Sequence, residues 1–132
     1  MSQTILVVDA EILVRMTIST YLRDCGYKVV EAADAEEAIV VVSQPELPIH
    51  AVLAHVDLPG PTDGFALARW IREHREGLDV LLARSTARAA EQAADLCENG
   101  PHLARPYEPQ VVVDRIRRLL AQRDRPGAAA VN

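Results

Sequence analysis

The feature that most constrains this chain is an alternation. Short apolar runs and longer amphipathic segments follow one another five times along 132 residues. The first run is "TILVV", residues 4–8, followed by "YKVVEA" (27–32), "HAVLAH" (50–55), "DVLLAR" (79–84) and "PHLAR" (101–105). Brief, nearly continuous apolar runs suit parallel strands buried on both faces. The segments between them read as helices. Val14, Ile18, Tyr21, Leu22 and Cys25 share one face, and Gly26 ends that helix. Asp34 and Glu37 form a capping-box start for a helix through about Val42. Thr62 or Asp63 caps "FALARWIREHR", which Gly77 closes, and Ser85 or Thr86 caps an Ala-rich helix ending near Asn99 and Gly100. After "PYEP", a stripe of Val112, Val113, Ile116, Leu119 and Leu120 marks the last helix. We read residues 1–122 as one domain and 123–132 as a flexible tail without periodicity.

Five β-α units with right-handed crossovers predict an α/β fold, a doubly wound parallel sheet with helices on both faces. Such sheets place their chemistry at the carboxyl ends of the strands. Those ends carry Asp9 and Glu11, then His55 and Asp57, then Arg84 and Ser85, and last Arg105. Aromatic residues are only 4% of the chain, so the core is expected to be aliphatic. A net charge of −5 argues against nonspecific nucleic-acid binding, which needs clustered positive charge. Cys25 and Cys97 belong to no CxxC pair. That argues against structural zinc, and we read both as reduced thiols filling apolar gaps in helices. No apolar run reaches membrane-spanning length and no basic segment leads into a signal-peptide core, so a cytoplasmic protein without membrane contact is expected.

Three segments, "ILVVDAEILVR", "DLPGPTDGFALARWIR" and "HLARPYEP", resemble the receiver domain of two-component response regulators, with "CGYKVVEAADAEEAI" in register between them. The resemblance covers roughly residues 3 to 122. It implies a flavodoxin-like (βα)5 fold with strand order 2-1-3-4-5. It also implies phosphorylation of an aspartate at the end of strand 3 by a sensor kinase. Mg²⁺ would be held by carboxylates after strand 1, and a Thr or Ser after strand 4 and a Lys on strand 5 would bind the phosphoryl oxygens.

Carried onto this sequence, nearly every chemical position departs from that pattern. Asp9 remains, but Ala10 stands where the family has a metal ligand, with Glu11 displaced by one residue. His55 occupies the phosphoacceptor position, and Asp57 lies two residues beyond. Arg84 takes the Thr/Ser position with Ser85 beside it. Arg105-Pro106 replaces Lys-Pro, where the resemblance implies a cis bond. His102 stands at the switch position. A histidine forms no acyl phosphate, and losing Ala10's counterpart removes an oxygen that hard Mg²⁺ needs. Our expectation is that Arg84 or Arg105 pairs with Asp9 and Asp57 and locks the site without metal or phosphate. Each residue also has a plainer role. His55 can fill space at a strand end, Asp57 can be a loop acid, Ser85 a helix cap, and Arg84 an ordinary ion-pair partner. Histidine chemistry also leaves room for pH sensitivity at this site.

These readings converge on a stand-alone, receiver-like signalling module that is not an enzyme and acts by protein–protein contact. Partners would be a histidine kinase, another receiver or an output protein, with a homodimer through the same face as a variant. The contact face is expected to involve helix 4, strand 5 and helix 5, including His102, Tyr107, Arg115 and Arg118, with Arg117 and Arg123 adding to a basic last helix. No cofactor is expected. Two alternatives stay open: a phosphoacceptor at Asp57 or His55 with Mg²⁺ on Asp9, Glu11 and Asp57, and a small-ligand or metal sensor at His55.

Overall fold

The computed structural model describes residues 3–100 and 105–123. Four parallel strands form the sheet, β1 (Thr4–Val8), β2 (Lys28–Ala32), β3 (Ala51–His55) and β4 (Asp79–Ala83), in the order β2-β1-β3-β4. This is the expected 2-1-3-4 arrangement. The fifth strand was expected on residues 101–105, and with His102 it lies almost wholly outside the described residues. Five helices accompany the sheet: α1 (Ile12–Asp24), α2 (Ala35–Val42), α3 (Gly64–His74), α4 (Thr86–Asn99) and α5 (Pro109–Arg123).

The alternating side chains of each strand divide the core into two layers. Ile5, Val7 and Leu53 face α1, α4 and α5, where they meet Ile18, Leu22, Ala93, Val112 and Ile116. Leu6, Val8, Val52 and Ala54 face α2 and α3, against Ala38, Val42, Leu67 and Ile71. β1 and β3 are buried along almost their whole length because both faces are covered. Their register pairs Val8 with Ala54, which brings Asp9 and His55 out side by side at the same end of the sheet.

The helix starts follow the capping residues in the sequence. Asp34 accepts the Glu37 N–H at 2.8 Å, and the Glu37 side chain returns to the Ala33 N–H. Asp63, rather than Thr62, caps α3 through the Ala66 N–H at 2.8 Å. Ser85, rather than Thr86, caps α4 through the Arg88 N–H at 3.1 Å. α5 begins with Pro109, where a missing N–H costs nothing. It continues through Arg123, one residue into the segment read as tail; the remainder of that segment lies outside the described residues.

Two expectations are corrected here. Cys25 and Cys97 are not separate thiols but a disulfide, with Cα atoms 5.7 Å apart. Each cysteine fits an apolar gap on its own helix. The sequence does not reveal that packing α4 beside the end of α1 makes those two gaps one. No peptide bond among the described residues is cis, so Arg105–Pro106 is trans. Trans is the lower-energy form of an X–Pro bond unless tertiary contacts override it.

Candidate functional site

At the carboxyl end of the sheet lies an open cleft of about 380 Å³, lined by Asp9, Ala10, Glu11, Val14, His55, Asp57, Thr86 and Leu120. The strand-end residues singled out after strands 1 and 3 do converge. Those after strand 4 and at strand 5 turn away.

Asp9 is buried, and its Oδ1 accepts the Glu11 N–H at 2.9 Å. Burial pushes its carboxyl above the usual range, opposed by that hydrogen bond and by the nearby His55. Glu11 caps α1 and pairs with Arg123 of α5, which holds its carboxyl below the usual range and draws the end of α5 over the cleft. Ala10 is exposed and presents only a methyl group. His55 is half-buried, and its Nδ1 accepts the Asp57 N–H at 3.0 Å. Asp57 itself is exposed. Gly64 starts α3 directly against this strand end, donating its N–H to Val56 O at 2.9 Å. A Cβ on Gly64 would sit 2.3 Å from His55 O and 2.8 Å from Val56 Cα. Gly64 is therefore what lets α3 approach His55 so closely.

The expected arginine clamp is not formed. Arg84 lies over the ring of Phe65, 5.3 Å from its centroid, as a cation–π contact at the lip of α3. Arg105 reaches Glu98 at 3.9 Å and Glu108 at 3.7 Å. Both found partners outside the cleft, Arg84 on α3 and Arg105 on α4 and the turn before α5. Beside Arg123 on Glu11, the arginine that serves Asp9 is Arg15, which the sequence reading passed over. Its Nη1 donates to Asp9 O at 2.9 Å and its Nε to Glu31 Oε1 at 3.1 Å. The available signal was Glu31 at the end of strand 2, an acid beside Asp9 that calls for a cation one turn into the following helix. Thr86, the other cap candidate beside Ser85, lines the cleft.

These groups do not fit Mg²⁺. The cation needs several convergent oxygens. Here Ala10 offers none, His55 offers a nitrogen already bonded to the Asp57 N–H, Asp9 has Oδ1 on the Glu11 N–H, and Glu11 is paired with Arg123. Among the described residues no cluster of three His, Cys, Asp or Glu is placed to hold a metal ion. Of the residues assigned to the contact face, Tyr107 packs edge-on against Tyr21, with centroids 5.1 Å apart. Tyr107 and Arg115 line a groove with Leu13, Met16, Thr17 and Thr20, on the α1 side of α5. Arg118 is exposed next to Arg115. Pro106 is exposed at the turn into α5.

The response regulator receiver domain model matches residues 5–117. Among curated proteins, the chain is similar to the probable transcriptional regulator ycf27 of Cyanophora paradoxa, at 33% identity over 92% of this chain and 50% of that protein. It is also similar to the aerobic respiration control protein ArcA of Escherichia coli, at 34% identity over 89% of this chain and 48% of that protein. The chain thus spans about half the length of the curated relatives it matches. Among solved structures, a putative response regulator from Chloroflexus aurantiacus aligns with a TM-score of 0.59 and 31% identity, covering 92% of this chain and 99% of that one. Chemotaxis response regulator CheY4 of Vibrio cholerae shares the fold, with a TM-score of 0.58 at 23% identity over 90% of this chain and 99% of that one. The fold, the strand-end cleft and these matches agree, and the chain belongs to the response regulator receiver domain family.

Proposed function

We propose that this receiver domain signals without being phosphorylated, by contact with a protein partner. The observation that carries this reading is His55. It stands at the end of β3 with Nδ1 tied to the Asp57 N–H, in a cleft where no three metal-ligating side chains among the described residues are placed to hold a cation. An imidazole cannot become an acyl phosphate, and Asp57 points from a loop beyond the strand. The domain is then a binding module rather than an enzyme, without a resident cofactor. Its partner is a histidine kinase, another receiver, a second copy or an output protein. The face of helix 4, strand 5 and helix 5 is the assigned contact, and the exposed Arg115, Arg117 and Arg118 of α5, with Arg115 on the α1 side, favour an acidic partner. No helix among the described residues is long and apolar enough to cross a membrane, in keeping with a cytoplasmic site of action.

The test is intact-mass analysis after incubation with a small phosphoryl donor and Mg²⁺, beside a His55→Asp variant. The native chain is expected to gain no phosphoryl group. A gain mapped to Asp57 or His55 would replace this reading with that of an unconventional phosphoacceptor.

A further inference from the structure

Cys25 closes α1, and Cys97 lies in the last turn of α4, 72 residues later, with the two sulfurs joined. A second tie runs beside the first. The Tyr27 hydroxyl donates to Leu96 O at 2.5 Å. Gly100 leaves room for the Tyr27 hydroxyl, which a Cβ would meet at 2.0 Å. The corner after α1 is thus seated against the end of α4 by one covalent bond and one hydrogen bond.

Three features suit a covalent tie that opens and closes. Both cysteines sit in an apolar cluster with Tyr21, Leu22, Ala94 and Val112. Free cysteine is among the most buried residue types and behaves as a small hydrophobe, so opening the bond leaves no costly polar group inside. They are the chain's only two cysteines, so re-oxidation within the chain returns to one pairing. Both also lie at helix ends, with Glu98 and Asn99 exposed just beyond Cys97. Opening a single turn of α4 therefore admits a thiol without unfolding the sheet.

We propose that Cys25 and Cys97 are a redox-active pair whose disulfide fastens the end of α4 to α1 and whose reduction by a dithiol releases it. In reduction, a thiolate of the dithiol attacks one sulfur. The Cys25–Cys97 bond breaks, and the departing cysteine leaves as a thiolate and takes a proton. The second thiol of the dithiol then attacks the mixed disulfide, freeing the other cysteine, which is protonated in turn. Two electrons and two protons pass to the chain, and the dithiol ends as its own disulfide. A glutathione disulfide reverses the exchange and leaves as two glutathione thiols. That this release alters partner contact rests on the function proposed above, because α4 borders the assigned surface. The redox chemistry does not depend on it.

The experiment uses the whole chain without a partner. Oxidised and dithiothreitol-treated samples are alkylated under native conditions, weighed, and compared by hydrogen exchange over residues 86–100, with residues 35–42 of α2 as reference. The oxidised chain is expected to take no alkyl group and the reduced chain two, with glutathione disulfide restoring the first state. Exchange in α4 is expected to rise on reduction about tenfold more than in α2, whose change follows only the loss of global stability. A Cys25→Ala/Cys97→Ala variant should match the reduced chain and ignore dithiothreitol. If that variant does not fold, the wild-type comparison alone decides. The proposal is overturned if reduction requires denaturant, if α2 exchange rises as much as that of α4, if α4 exchange does not change, or if glutathione disulfide fails to close the pair. None of these outcomes involves a partner, so they leave the proposed function to its own test.

Discussion

The Nδ1 of His55 accepts the backbone N–H of Asp57 at 3.0 Å. An accepting Nδ1 leaves the ring proton of the neutral imidazole on Nε2. The bond also staples the first turn of the β3–α3 loop, whose next residues are held by the Val56 N–H on Ala83 O and the Gly64 N–H on Val56 O. The imidazole thus anchors the loop that follows β3. In His55→Ala the Asp57 amide is expected to exchange about tenfold faster, while global stability changes by no more than about 1.5 kcal/mol, the scale of one hydrogen bond. Amide exchange by NMR reads both quantities. An unaltered Asp57 amide would mean that the imidazole does not hold the loop.

The elements were legible in the sequence because each carries its own local rule. The Asp34–Glu37 capping box and the Val112–Ile116 stripe appear in the structure where those rules put them. The site was legible only in part. Asp9 and His55 come together because parallel register follows from the alternation of strands and helices. Where Arg84 and Arg105 go was not legible. A long cation chooses among all acids or aromatic faces within several ångströms, and Phe65, Glu98 and Glu108 were nearer than the cleft. The disulfide was hidden for a related reason: it depends on helix packing between residues far apart in the chain.

Gly64 is expected to tolerate no side chain. Its φ is not unusual; the obstacle is space, since a methyl group would enter the His55 carbonyl and the Val56 Cα. Those are backbone atoms at the end of a central strand and cannot move independently. Gly64→Ala should cost about 1–3 kcal/mol, the usual range for overpacking, read as a lower urea midpoint. The shift should come with changed His55 ring resonances, because β3 and α3 must separate there. A midpoint equal to the wild type would show that this junction yields easily.

Asp9 makes a prediction whose sign depends on pH. Burial is the main cause raising its carboxyl above the ordinary 3.8, so the fold favours the protonated form. That favourable contribution is complete below the ordinary value and is lost as pH rises through the folded one. Asp9→Asn keeps an oxygen for the Glu11 N–H without the charge. It should therefore match the wild type near pH 3 and melt higher at pH 7, by roughly a few degrees. Thermal scans across this range provide the check. A lower melting temperature for the variant at pH 7 would mean that the Asp9 charge is needed by the fold.

Arg15 should resist conservative replacement. Its guanidinium spans Asp9 O and the Glu31 carboxylate with two different nitrogens, which a single ammonium cannot reproduce. Hydrogen bonds to charged groups contribute about 1.5–3 kcal/mol. The Glu31 pair is partly exposed, which places the expected loss for Arg15→Ala toward the lower end of that range. Arg15→Lys should recover less than half of it. A lysine variant as stable as the wild type would reduce the role of Arg15 to charge alone.

The Cys25–Cys97 bond should set how much denaturant the domain withstands. It closes a loop of 72 residues, and the chain-entropy account assigns a loop of that size about 4 kcal/mol against the unfolded state. Strain or residual structure reduces such values, so the expected loss on reduction lies between about 2 and 4 kcal/mol. The slope of the unfolding transition should also rise on reduction, because an uncrosslinked chain exposes more surface when it unfolds. Urea titrations of the oxidised and reduced chain measure midpoint and slope together. A midpoint shift with the higher slope would place the effect in the unfolded chain, as argued here. If both quantities stay where they were, the cross-link adds nothing beyond the apolar packing already present around Cys25 and Cys97.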